Sequence, residues 1–134
     1  MFEEPSPAST PPDALLAAYL EELGRHVSSA PKGAVSEEVR TAVEAEDGSA
    51  LDLAGAATVL ALGTDRLDAR AIEAELRDRL LIGMTNAVLD VDTLAREIPL
   101  DRSGKELQQA IEGRAPMTLL EYAHVRHALA QRAR

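Results

Sequence analysis

Apolar residues recur along the chain at helical spacing, and polar residues fill the positions between them. The first stripe of this kind begins after Asp13 and runs to Val27, and Pro31 and Gly33 interrupt it. A spacing of three to four residues places such side chains on one face of an α-helix. Strict alternation, which marks a half-buried strand, is missing. The pattern therefore predicts an all-α protein.

Capping residues divide the rest of the chain into further helices. Ser, Asp and Thr side chains accept hydrogen bonds from the free N–H groups of a first helical turn. Such residues stand before the remaining apolar stripes: Ser36, Asp52, Asp65 or Asp68, Asp90 or Asp92, Ser103 and Thr118. The last two open capping boxes that end in Glu106 and Glu121. We predict about seven helices, including a long one over 68–89 and one over 103–112.

The apolar stripes also predict which side chains form the core. They are Leu16, Leu20, Val43, Leu53, Val59, Ile72, Leu76, Leu80, Val88, Leu94, Ile98, Leu107, Ile111, Leu119, Tyr122 and Val125. Aromatic residues make up only 2% of the chain. Packing must therefore come from many modest aliphatic contacts.

One part of the chain resembles another. The helix pair that begins at Val39 matches the pair that begins at Leu107 in apolar positions, turn and cap. The simplest account is a duplicated helical unit, although two Ala/Leu-rich helix pairs can look alike by chance. We predict two tandem helix-turn-helix-like bundles, residues 13–67 and 68–134, joined by the long central helix into one compact domain. Residues 1–12 hold four of the seven prolines and are predicted to be a disordered tail.

Composition excludes several classes of protein. The chain has no cysteine, so disulfides and cysteine-ligated zinc are excluded. It has no run of about 18 apolar residues, so we expect no membrane span. Its first residues are acidic and lack the apolar core of a secretory signal. We expect a cytoplasmic protein.

Charge adds a prediction about the setting. The net charge is −9, and the basic residues are 12 Arg and only 2 Lys. An acidic, lysine-poor surface is typical of proteins that stay soluble in concentrated salt, although ordinary acidity with GC-rich codon usage gives a similar composition. Residues 1–67 carry a net charge of −8, whereas residues 99–134 carry +2. An anionic partner would therefore meet the C-terminal end first.

The segment TLAREI (93–98), a turn and a helix that ends in AIEG (110–113) resemble the Cro/repressor-type helix-turn-helix over about residues 77–130. The spacing of the buried positions is about two residues wider here, and Pro99 stands where glycine is usual. The resemblance implies a helix 103–112 that reads DNA bases with Lys105, Gln108 and Gln109. Flanking phosphate contacts would come from Arg102 and Arg114. The alternative is a solvated helix face, since Glu106 and Glu112 would repel phosphate.

A second resemblance covers the stretches GMTNAVLDVDTLA (83–95) and KELQQAIEGRAPMTLLEYA (105–123). They resemble a small, acidic, uncharacterised protein family of halophilic archaea. This resemblance implies an archaeal, salt-rich cytoplasm and brings no known activity.

Candidate chemistry is sparse. Glu121, His124 and His127 follow one another at i, i+3 and i+6, which is a weak pattern for a metal site because no further ligand is signalled. No phosphate-binding glycine loop or nucleophile elbow occurs, so we expect no enzyme, cofactor or small-molecule ligand. The long helix has a wider apolar stripe than one packing partner needs. We predict a protein-interaction, scaffolding or regulatory module with a protein partner or a homodimer, and the alternative is a DNA-binding regulator.

Overall fold

Seven α-helices dominate a computed structural model that describes residues 2–133. In chain order they are α1 (Pro12–Ser29), α2 (Glu37–Glu44), α3 (Leu53–Ala61), α4 (Ala69–Ala87), α5 (Val91–Glu97), α6 (Gly104–Ile111) and α7 (Leu119–Gln131). Apart from one isolated bridge, residues 2–133 contain no strand. The prediction of an all-α fold with about seven helices is confirmed. No helix in the described part of the chain is long and apolar enough to cross a membrane.

The predicted caps fix where six of the helices begin. Each cap side chain accepts a hydrogen bond from the backbone N–H three residues further on, at Ser36, Asp52, Asp68, Asp90, Ser103 and Thr118. Both capping boxes form completely. Helix α1 has no side-chain cap, but it begins with Pro12, whose fixed φ suits a first helical turn.

The core lies between α1, α3, α4 and α7. Helix α3 packs mainly against α4, α1 and α4 both pack against α7, and α5 packs against α6. Buried side chains from both halves of the chain form one cluster. Most of the predicted core is buried, but Leu16 is only partly so. The prediction for Val88 was wrong because this residue lies just beyond the end of α4, where the helical period no longer applies.

The two matching helix pairs, α2–α3 and α6–α7, meet at their turns. The Leu53 N–H donates to the Met117 carbonyl at 2.9 Å, and the Leu119 N–H donates to the Leu51 carbonyl at 2.7 Å. The two bonds form an antiparallel bridge between the N-cap residues of α3 and α7. Within this bridge the matching positions of the two pairs face each other, and a third bond, from the Leu120 N–H to the Gly48 carbonyl at 3.1 Å, has no counterpart.

The prediction of a disordered tail is wrong for the N-terminal segment (residues 2–10). It was expected to be part of a disordered tail, but it lies against α1 and α7. Phe2 is buried, with its ring centroid 4.4 Å from that of Tyr19. The Arg126 Nη2 donates to a Glu4 carboxylate oxygen at 2.6 Å. The prolines prevent a helix here, but the aromatic and acidic residues beside them still bind to the bundle. Met1 and Arg134 lie outside the described residues.

Candidate interaction surface

The second half of α4 and the residue after it carry exposed apolar side chains that we call the α4 outer face (Leu81, Ile82 and Val88). These side chains are 43%, 60% and 71% exposed, respectively. No charged residue occurs from Leu80 to Leu89, although 28% of the chain is charged. Leu81 borders the side of α4 that faces α5 and α6, whereas Ile82 borders the side that faces α7 and the N-terminus. Exposed apolar side chains that lie close together, rather than scattered singly, are candidates for a protein-interaction site.

The inner side of α4 already fills its place in the core. Ile72, Leu76 and Leu80 are fully buried. Gly83 lets α7 approach closely, since a Cβ at this position would lie 3.1 Å from the Leu129 Cδ1. One stripe of α4 therefore completes the core, and the α4 outer face stays exposed.

A shallow groove extends this face toward α5 and α6. Its volume is about 240 Å³, and its lining is mainly apolar: Leu81, Met84, Val91, Gln108, Ile111 and Glu112. The exposed Glu112 at the rim pairs with Arg114. The hydrogen bond from Arg114 holds the pKa of Glu112 below its ordinary value. The charge of Glu112 is thus paired at the rim, and the groove adjoins the uncharged second half of α4.

Val88 has an unusual backbone conformation for its residue type. Its φ is 50° and its ψ is 51°, which is the left-handed region, and it ends α4. A β-branched side chain is disfavoured there, and glycine or asparagine is the usual choice. A strained, exposed valine gains nothing from burial within its own chain. Strained residues of this kind concentrate at functional positions.

The five residues predicted to contact DNA do not form one free basic surface. Lys105 and Gln108 are exposed on α6, but Gln109 is half-buried. The Arg102 Nε lies 2.5 Å from a carboxylate oxygen of Glu121. Arg114 is paired with a neighbouring glutamate, as described above. The DNA-binding prediction stays a prediction, and both of its arginines already have acidic partners.

The structure also does not assemble the weak metal candidate. Glu121 accepts hydrogen bonds from Arg102 and from the Thr118 N–H. The His127 Nδ1 lies 2.7 Å from a backbone carbonyl, and burial lowers the pKa of His124. Among residues 2–133, no three His, Asp or Glu side chains are placed to hold a metal ion.

The fold and this surface describe a small, all-helical protein with one exposed apolar face. A family of unknown function (DUF5791) matches residues 13–132, and the chain belongs to this family. No curated protein and no solved structure matches it. The prediction of an uncharacterised family is thereby confirmed, while an archaeal, salt-adapted origin stays a prediction.

Proposed function

We propose that this protein is a non-enzymatic interaction module that forms a homodimer through the α4 outer face. The observation that carries the proposal is the exposure of Leu81, Ile82 and Val88 on an uncharged stretch of an otherwise acidic chain. Burying these side chains against a partner recovers about 25 cal/mol per Å² of apolar surface. The strained Val88 supports the same assignment, because its side chain would be useful only in a contact.

The charge of the chain favours a second copy as the occupant. Two molecules that each carry −9 repel each other wherever carboxylates meet. At the α4 outer face, two copies can approach each other without bringing carboxylates together. A two-fold dimer places the same residues of both copies against each other. Antiparallel α4 helices would bring Leu81 and Ile82 of both copies to the centre of the contact.

We further propose that the dimer forms in a salt-rich cytoplasm. The remaining acidic surface repels less as salt rises, because the Debye length falls to about 3 Å at 1 M. Apolar contacts do not weaken under these conditions. We therefore expect the dimer to be more stable in concentrated KCl than in dilute buffer.

The test is the oligomeric state of the full chain, measured by size-exclusion chromatography with light scattering in about 2 M KCl, where repulsion is screened. We expect a dimer for the wild type and a monomer for Ile82→Glu. Leu62→Glu is the matched control, since Leu62 is exposed but lies beyond the opposite end of α4. It should remain dimeric. A monomeric wild type at all salt concentrations, or a dimeric Ile82→Glu variant, would refute the proposal.

DNA reading by α6 is the second candidate. The exposure of Lys105 and Gln108 supports it, and the pairing of Arg102 and Arg114 counts against it. Titration of a random-sequence DNA library at high salt decides between the two. Selection of a defined site, lost when Gln108 and Gln109 are both changed to Ala, would establish DNA reading.

A further inference from the structure

The N-terminal segment is held in the way that a bound peptide is held. Within residues 2–133, it makes no backbone–backbone hydrogen bond to the rest of the chain. Its anchors are side chains of the helices or of the segment itself. The Glu3 N–H donates to the Glu22 carboxylate at 2.8 Å, the His127 ring contacts the Pro7 carbonyl, and Gln131 donates to the Ala8 carbonyl.

The main polar anchor is Glu4, which enters a basic pocket between α1, α4 and α7. The Arg126 Nε and Nη2 donate to one oxygen of Glu4 at 2.9 and 2.6 Å. The Tyr19 hydroxyl donates to the other oxygen. The Arg79 Nη1 lies 3.9 Å from the carboxylate. Two arginines and a tyrosine hydroxyl thus converge on one carboxylate, which is a strong, charge-assisted arrangement.

The pocket offers more hydrogen-bonding capacity than Glu4 uses. The Tyr122 side chain is fully buried, and its hydroxyl lies beside the Arg79 guanidinium without a hydrogen bond to Glu4. Burial raises the pKa of this hydroxyl to about 12, so it stays a donor. The Tyr19 and Tyr122 ring centroids are 5.8 Å apart. The Tyr122 hydroxyl is therefore a second phenolic donor in the same cluster as the Tyr19 hydroxyl that binds Glu4.

The pocket and its occupant belong to different parts of the chain. Tyr19, Arg79, Tyr122 and Arg126 all lie within residues 13–132, the part that matches the family. The N-terminal segment lies outside this part. The pocket residues therefore lie in the part of the chain that the family covers, and the segment that fills the pocket precedes that part.

We propose that the pocket of Tyr19, Arg79, Tyr122 and Arg126 is a receptor for acidic peptides in which an acidic residue lies two positions after an aromatic residue, and that the N-terminal segment competes for it intramolecularly. Phe2 and Glu4 supply the pattern: the ring packs on Tyr19 and the carboxylate binds the arginines. A tethered segment has a millimolar effective concentration, so it blocks weak peptides and yields to strong ones.

The first experiment measures binding of a fluorescent peptide with the sequence of residues 2–10 to the full chain by fluorescence polarisation. The Phe2→Ala/Glu4→Ala variant should bind it at least about tenfold more tightly than the wild type, because its own segment no longer fills the pocket. A peptide in which Gln replaces the second Glu, the equivalent of Glu4, should not bind to the variant. Adding Arg126→Gln to the variant should abolish binding.

Arg132→Gln is the matched control, since Arg132 pairs with Glu97 outside the pocket. It should not affect binding.

A second experiment leaves the pocket and both anchor residues unchanged. The chain has no cysteine, so a dye attached to Ser6→Cys reports only on the N-terminal segment. Excess unlabelled peptide should release the segment and lower the anisotropy of the dye, whereas the Gln-containing peptide should not. The proposal is overturned if neither peptide changes the anisotropy, or if both peptides bind the double variant equally.

Discussion

Two capping boxes of the same pattern allow the contribution of a buried charge to be isolated. Glu106 accepts a hydrogen bond from the Ser103 N–H at 3.0 Å, and Glu121 accepts one from the Thr118 N–H at 2.9 Å. The local geometry is therefore alike. Glu106 is exposed, whereas Glu121 is buried and paired with Arg102. A change from Glu to Gln keeps an acceptor oxygen for the cap in both boxes and removes only the charge.

The structure predicts different costs for the two changes. Glu106→Gln should leave the free energy of unfolding almost unchanged, because exposed charges contribute little. Glu121→Gln removes the carboxylate that pairs directly with Arg102, and such a loss costs about 3–5 kcal/mol in a fully buried pair. The Arg102 side chain is 21% exposed, and solvent screening reduces the expected cost to about 2–3 kcal/mol.

Thermal unfolding followed by circular dichroism measures this difference. For a chain of this length, the unfolding entropy is about 0.28 kcal/mol/K, so Glu121→Gln should lower Tm by about 7–11 °C. Arg102→Gln should have a similar effect, and the double variant should lose less than the sum. If Glu121→Gln costs no more than Glu106→Gln, then burial of the ion pair does not stabilise the fold, and Arg102 is free for other contacts.

Three further predictions concern stability. Burial lowers the pKa of His124 below its usual 6.5, so the unfolded chain takes up a proton first as pH falls. Stability should therefore decrease below about pH 6.5, and His124→Gln should flatten that part of a plot of Tm against pH; an unchanged slope would assign the effect elsewhere. Val88→Gly should raise the free energy of unfolding in urea by about 1 kcal/mol, since a φ of 50° suits glycine; a decrease would contradict the strain. Gly104→Ala should destabilise the protein, because the new Cβ would lie 1.9 Å from the Asp92 Oδ1 and 3.2 Å from its Cα; a higher Tm would show that Asp92 moves aside easily.

Helix starts were predictable from the sequence because their chemistry is local. A cap such as Ser103 or Thr118 binds an N–H only three residues away, so the pattern and the contact coincide. The core was predictable wherever a helix continued with its own period. The prediction that Val88 is buried was wrong because α4 ends one residue earlier. A valine in the sequence does not indicate a left-handed backbone conformation.

The candidate sites depend on contacts that are distant in sequence. Arg126 binds Glu4 from 122 positions away, so proline content alone suggested disorder where the folded bundle provides a binding pocket. The uncharged run on α4 was visible in the sequence, but its exposure was not. Helix α3 has a similar uncharged run, and its Leu53, Val59 and Leu60 are buried. Composition cannot distinguish an interior helix from an unpartnered one.

The bridge between the two turns bears on the predicted duplication of the helix pair. Each helix pair supplies one donor and one acceptor to the two bonds of the bridge, and a third bond, from the Leu120 N–H to the Gly48 carbonyl, also joins the turns. Two identical copies of a single ancestral pair would make the same two bonds around an exact symmetry axis. Fusion of their genes would then preserve the contact while freeing each half to diverge. Separately expressed halves of the present chain, cut within the 62–68 loop, should therefore reassemble into the native bundle.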